Sequence, residues 1–450
     1  MLDLLIKNAR IVTEQEIIYG NVGVSNGEIE YVSNEAKKAC KVIDVQGKYL
    51  LPGIVDDHVH FNEPGYTWRE DFQHGSRAAA KGGVTTVIDM PMQNDPAVTT
   101  AKIFADKEKL LKGKSYVDYG FWGGLVHGNE SELKGLDEKG ALAFKCFMCD
   151  PGKGYTSLSL AEIRQRIEIL QKFDGLAGFH CEDYNMIKEN EEKAITEGRT
   201  SRLDYLQARP VEAELKAVND IIDILRATKG KAHICHVSHP LVAQSIKKAK
   251  AEGIDITAET CMHYLLFTGD DLIKNGAVFK CSPPLRSKKD AAILWDYIVD
   301  GTLDCICSDH SPCRIEEKSE KGAKGIFGAW GGISSVQTSL QAFWNYAVNK
   351  KEYSPTIVAR VMAANPAKIF AIYGRKGAIK EGFDADFTVI DAEMPWQVTA
   401  DELEYKNKFS AFCRTKGKGM PVMTFVRGNL VYDGKFFSNE CIGKLIKKLK

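Results

Sequence analysis

Two histidines one residue apart, His58 and His60, close the mostly apolar run GIVDDHVH at residues 53–60, and a Glu-Pro-Gly turn follows. Side chains alternate faces along a strand, so Ile54, Asp56, His58 and His60 share one face and two imidazoles can reach one metal ion. Taken alone, such a pair at a strand end is about as often structural as metal-binding. Other apolar runs end in the same manner. Lys145 is in phase with Ala141 and Ala143, and His180 with Leu176 and Gly178. His236 is in phase with Ile234, and Asp309 with Cys305 and Cys307. Four imidazoles and a carboxylate gathered at one rim suit zinc or a similar transition metal. That combination is far harder to reach by accident than any one member.

Lys145 is the odd member, because an ammonium beside divalent cations is repelled and costly to bury. Either it points elsewhere as an ordinary lysine, or its neutral amine has combined with carbon dioxide. The carbamate so formed is a carboxylate on a long arm whose two oxygens can bridge two metals. The ligands around it favour the carbamate. The remaining histidines divide differently. His233 is out of phase with His236 and is expected to face the helices. His74 lies in a helical stretch and His127 in a loop, both in structural roles. His239, His263 and His310 flank rim loops and are candidates to support the ligands.

The elements that must position these groups are eight strand-like runs: 53–60, 84–91, 116–126, 141–147, 175–181, 231–237, 254–260 and 303–309. Helical patterns alternate with them. Ser159 and Glu162 form a capping box at the head of SLAEIRQRIEILQKF. Pro210 precedes VEAELKAVNDIIDIL, and Gly82-Gly83, Gly253 and Gly301 stop helices. Eight such units predict a (β/α)8 TIM barrel over residues 53–375, with its active site at the C-terminal ends of the strands. Residues 1–52 and 376–450 are strand-rich, with turns at Asn26-Gly27 and Asp433-Gly434. The two chain ends are predicted to meet in a small β-sandwich domain, followed by a C-terminal tail.

The totals narrow the function classes. The chain has 450 residues, 44% of them hydrophobic, which is ample for a large core. Sixty basic and sixty acidic residues leave zero formal charge, and no basic stripe points to nucleic acid. No apolar run is long enough to cross a bilayer. The opening MLDLLIKNARIV reads as a strand, so the twelve cysteines are expected to be reduced in a cytoplasmic setting. The pair Cys146 and Cys149 has redox-motif spacing but lacks a thioredoxin-like context.

The order and spacing of LPGIVDDHVHFNEPG, AAKGGVTTVIDMP, FKCF, GFHCED, ICHVS, TAETCMHY, KCSPPLR, SDHSP, AANPAKIF and GAIKEGFDADF resemble the cyclic amidohydrolases. That group includes dihydroorotases, hydantoinases and allantoinases, and the resemblance spans nearly the whole chain. It implies two divalent metal ions bridged by a carbamylated Lys145, with His58, His60, His180, His236 and Asp309 as the other ligands. Zinc is the first choice, and cobalt, manganese or iron suit the same donors. Asp309 is implied as the catalytic group, passing a proton from the attacking water to the leaving ring nitrogen. A homo-oligomer, tetramer or dimer, is implied as well. Dihydroorotases resemble HxHxRxPG, whereas Asn62 stands here in place of the arginine, which argues for an uncharged cyclic ureide. Hydantoinases usually carry a tyrosine where this chain has Asp150. FGAWGGISSVQ, KCSPPLR and SDHSPC resemble the allantoinase branch. The expected activity is hydrolysis of the hydantoin ring of allantoin to allantoate, with other cyclic ureides as the alternative and a non-catalytic scaffold as a third reading. Asn62, Ser282 and Trp330 are expected to contact the substrate, and Glu182 to hold His180.

Overall fold

A computed structural model describes residues 1–449. Its centre is a sheet of eight parallel strands: β6 (Ile54–Val59), β7 (Val84–Asp89), β8 (Asp118–Gly124), β9 (Ala143–Phe147), β10 (Ala177–His180), β11 (Ala232–Ile234), β12 (Ile256–Cys261) and β13 (Cys305–Cys307). Each pairs with the next. The ring closes where the His60 N–H donates to the His310 carbonyl at 2.8 Å and the Ser308 N–H to Asp56 Oδ1 at 3.0 Å. Every residue of β7 and β8 is buried, as strands covered on both faces must be. This is the (β/α)8 barrel that the alternating pattern predicts.

The helix signals act as expected. Helix α1 (Phe72–Lys81) starts where Asp71 accepts the His74 N–H. Helix α2 (Leu160–Leu170) carries the Ser159–Glu162 capping box, and α3 (Val211–Thr228) follows Pro210. Helix α4 (Pro240–Ala251) is capped by His239, whose ring accepts the Leu241 N–H. At the end of α1 it is Gly83, with φ 83°, that takes the left-handed turn, whereas Gly82 stays right-handed.

The chain ends build a second eight-stranded sheet from β1 (Leu2–Val12), β2 (Ile17–Ser25), β3 (Glu28–Ser33), β4 (Ala39–Asp44), β5 (Tyr49–Pro52), β14 (Phe387–Gln397), β15 (Lys416–Val426) and β16 (Asn429–Tyr432). Its path runs β16-β15-β14-β5-β1-β2-β3, with β4 paired to β1. The two ends are joined by the antiparallel β5–β14 pair, from Tyr49 opposite Ile390 to Pro52 opposite Phe387. Ile6, Val22, Leu50, Phe387, Val389 and Phe425 share one core. The small β domain expected from the two chain ends is thus present, as one continuous, branched sheet around a core of its own. The tail leaves it: the Ile446 N–H donates to Tyr119 of β8 at 2.7 Å, and the Leu449 N–H to Ala371 at 2.8 Å.

One buried ionic cluster ties these parts together. Lys376 Nζ lies 2.6 Å from Asp118 of β8, 2.7 Å from Asp386 and 2.9 Å from Asp384. Arg427, beyond β15, also pairs with Asp118, and the Lys444 N–H of the tail donates to it at 2.8 Å. Barrel, small sheet and tail therefore meet at one carboxylate.

Candidate metal centre

The alternation of faces holds on β9 and β10. Ala143 lies in the barrel-interior cluster, Lys145 follows it in phase, and Phe144 packs outward. Gly178 and His180 share the inner face of β10, where a Cβ on Gly178 would strike the Trp122 ring at 2.3 Å. On β6 the alternation fails. Ile54 packs outward with Ala78, Ala79 and Ala80, while Val55 lies with Ile88 and Trp122 inside. The register with β7 shifts between Ile54 and Val55 and again between Asp56 and Val59. His58 and His60 reach the rim through that irregularity, not through phase with Ile54. On β11, Ile234 faces outward and Cys235 inward. His236 reaches the site because its backbone turns left-handed, with φ 40°. Asp309 does the same with φ 43°. Non-glycine residues avoid this region, at a cost of about 1–3 kcal/mol each, and tend to sit there at functional sites.

All six groups come together. His58 Nε2 lies 3.3 Å and His60 Nε2 3.2 Å from Asp309 Oδ1. The rings of His58 and His236 are 5.4 Å apart, and those of His180 and His236 4.6 Å. Lys145 is 1% exposed. Its Nζ, His60 Nδ1 and His236 Nδ1 are buried with no hydrogen-bond partner. Buried polar atoms are nearly always paired. A cluster of unpaired imidazole nitrogens and an amine around one carboxylate therefore fits a metal centre. Burial opposes the charge on Lys145, but Cys235, Glu259 and Asp309 outweigh it and raise its pKa above the ordinary value.

Partners behind the ligands fix which nitrogen faces the site. His180 Nε2 lies 2.8 Å from Glu182, as the sequence leads one to expect, which leaves Nδ1 for a metal. His58 Nδ1 lies 2.5 Å from Glu259 Oε1, which leaves Nε2. Glu259 is a residue that the sequence reading missed. It is wholly buried and also takes the His236 N–H at 3.1 Å and His233 Nε2 at 3.1 Å. Burial pushes its carboxyl up, yet His58 and His233 hold it well below the ordinary range. His233 consequently faces the barrel interior beside Asp57, Glu259 and Cys305, not the helices. The available signal was a glutamate in phase with Thr257 inside the strand ITAETC.

The supporting histidines differ among themselves. His263 is buried beside Cys261 and Asp309 with both ring nitrogens unpartnered. His310 accepts the Ser335 N–H on Nδ1 at 3.0 Å. His239 serves α4, His74 pairs with Asp71, and His127 with Glu162, all outside the site.

A cavity of about 210 Å³ opens above the ligands, and Ser282 and Trp330 line it. Ser282 Oγ lies 2.7 Å from the Tyr205 hydroxyl. Trp330 is held under the Arg69 guanidinium at 3.9 Å. Asn62 is not on the wall. It is fully buried with φ 58°, and its Nδ2 donates to the His60 carbonyl at 3.0 Å. It is a turn residue bracing the HxH strand, and the cavity lining does not include it. Gln93 is the side-chain amide that does line the cavity, and its Oε1 is unpartnered.

A barrel with this rim of imidazole, carboxylate and buried amine is the architecture of a metal-assisted hydrolase. Residues 49–431 match the amidohydrolase family, and the chain belongs to it. It is 36% identical to the allantoinase of Escherichia coli (strain K12) and 35% to that of Salmonella choleraesuis (strain SC-B67). Each alignment covers 96% of this chain and 95% of the relative. Among solved structures, L-hydantoinase (dihydropyrimidinase) from Arthrobacter aurescens superposes with a TM-score of 0.96 at 30% identity, covering all of both chains. A D-hydantoinase gives 0.93 at 27%, covering 100% of this chain and 99% of its own. Among the described residues, no helix is long and apolar enough to cross a membrane.

Proposed function

We propose that this amidohydrolase is an allantoinase, opening the hydantoin ring of allantoin to allantoate. The observation that carries the chemistry is the convergence of His58 and His60 on Asp309 beside a buried, unpartnered Lys145 amine. The curated relatives, allantoinases along almost the whole chain, carry the choice of ring.

His58, His60, His180, His236, Asp309 and a carbamylated Lys145 would hold two divalent ions, with zinc as the metal. Bound there, the ions polarise a carbonyl and make water nucleophilic near neutral pH. The protein's own groups do the rest. Burial pushes Asp309 up, but His58, His60 and His236 hold it below the ordinary carboxylate range, so it is ionised at working pH and has the lone pairs a proton acceptor needs. It takes the proton of the attacking water and returns it to the ring nitrogen as the C–N bond breaks. Glu259 and Glu182 keep the imidazoles in the required tautomers. Ser282 and Trp330 flank the ring on the cavity wall. The same reading divides the chain at residues 52/53 and 375/376 and assembles it as a homo-oligomer.

The test is a substrate panel of allantoin, hydantoin, dihydrouracil and dihydroorotate with zinc-reconstituted protein. Allantoin is expected to give the highest kcat/KM. Preference for dihydrouracil would overturn the choice of ring, and freshly made protein devoid of metal would overturn the metal centre.

A further inference from the structure

Two lysines behind the cavity wall have no carboxylate partner. Lys280, 5% exposed, lines the cavity; its Nζ donates to the Ala329 carbonyl at 2.5 Å and the Phe327 carbonyl at 3.3 Å. Lys318, 7% exposed, donates to the carbonyls of Gly332 at 2.6 Å and Trp330 at 3.0 Å. Neither forms an ion pair within 4.0 Å among the described residues. Arg209, also on the wall, is already neutralised by Glu182 at 2.5 Å and Glu191 at 2.8 Å. The exposed carboxylate of Asp150 is turned to its own loop, accepting the Gly152 N–H at 2.9 Å.

An ammonium carries three N–H donors. Lys280 uses two on backbone carbonyls and lies 4.7 Å over the Tyr205 ring, so in its protonated form one N–H remains without a hydrogen-bond acceptor at the cavity it borders. A buried cation without a counter-ion is costly, and the cost is recovered when an anion arrives. Desolvation pushes the Lys280 ammonium down to about 7, with Arg209 and Lys318 adding to the effect. Its Cε lies 3.9 Å from where a Cβ on Gly331 would stand, and Ser282 Oγ lies 3.4 Å from the same point. The Lys280 side chain therefore runs beside Ser282, one of the proposed ring contacts.

We propose that Lys280 is an anion-binding group that widens the substrate range to cyclic ureides bearing a carboxylate on the ring substituent, such as 5-carboxymethylhydantoin. This rests on the cyclic-ureide reading above and deepens it. The reaction is unchanged: water adds its oxygen to the ring carbonyl carbon, the ring C–N bond breaks, and the nitrogen takes the proton. Only the far end of the substrate differs, its carboxylate accepting the third N–H of Lys280.

The experiment compares 5-carboxymethylhydantoin with its neutral carboxamide isostere on zinc-loaded wild type and on Lys280→Gln and Lys280→Arg. The readout is the ratio of the two kcat/KM values. Wild type is expected to favour the carboxylate by about 10–100-fold, the range of a charge-assisted hydrogen bond. Lys280→Gln should bring the ratio to one or below, and Lys280→Arg should restore much of it. A wild-type preference for the carboxamide would overturn the proposal. So would a ratio unaltered by Lys280→Gln, which would mean that the lysine only pins the 327–332 segment. Failure to open allantoin or any hydantoin would instead fault the underlying reading. In that event the ratio of calorimetric Kd values for the same two compounds decides the proposal by the same criteria.

Discussion

At the scale of single residues, the site depends on groups that never touch substrate. Glu259 accepts from three partners at once, the imidazoles of His58 and His233 and the backbone N–H of His236. Glu259→Gln keeps the shape and removes the charge, and should weaken zinc binding roughly 10–100-fold, measured by competition with a chelator. Unchanged affinity would show that His58 needs no such anchor. Lys145→Ala should lower kcat/KM by several orders of magnitude, with partial rescue by added short carboxylic acids that replace the lost oxygens. A variant as active as wild type would exclude the bridging role. His263 supports a prediction of a different kind. Burial lowers its pKa from 6.5 to about 4. The unfolded chain therefore binds a proton that the folded one refuses, and stability falls as pH drops from 6.5 towards 4. Replacing His263 with Leu removes this penalty. Relative to wild type, the metal-free variant should gain up to about 3 kcal/mol between pH 7 and pH 4, read from urea midpoints. The six proposed ligand positions, which line one cavity, could be picked out in the sequence because their residue types are rare at strand ends. Glu259 was not, because a carboxylate within a strand gives no local sign of which imidazole lies opposite. Asn62 misled for a related reason: its position relative to the histidines was right, but a left-handed turn aims its side chain inward.

At the scale of elements, strand alternation worked where strands are regular and failed where they are not. On β9 and β10 it located Lys145 and His180 by counting. On β6 and β11 the same counting reached His58 and His236 by the wrong route, since a register shift and a positive φ intervene. Neither irregularity has a glycine or proline at the spot to announce it. Tertiary pairing and the demands of the site impose them. The Asp118 cluster is similarly invisible in sequence, because Lys376 is separated from it by 258 residues. Lys376→Met would leave three buried carboxylates without their shared cation. A loss of about 3–5 kcal/mol is expected, observed as a lower Tm. A Tm equal to that of wild type would mean that Arg427 alone neutralises Asp118.

At the scale of the whole molecule, eight repeated β/α units and two strand-rich ends made the barrel and a second sheet legible, because hydrophobic period and turn residues are local signals. The pairing of the ends was predictable only in outline. The tail's return to β8 left no trace in its sequence, GKLIKKLK, which shows no strand pattern. Removing the residues after Glu440 should strip Tyr119 of its partner and lower the Tm, and an unchanged Tm would show the tail to be dispensable.

The β5–β14 pair has a consequence for how the chain is made. Strand β5 leaves the ribosome more than three hundred residues before the strand that will cover it, as Tyr49 must wait for Ile390. At about 5–20 residues per second, that edge stands open for tens of seconds while the barrel assembles beside it. An uncovered edge is a template for pairing with other nascent chains. Slow translation, or premature termination before residue 387, should therefore drive this protein into aggregates even though every proposed metal ligand has already been synthesised.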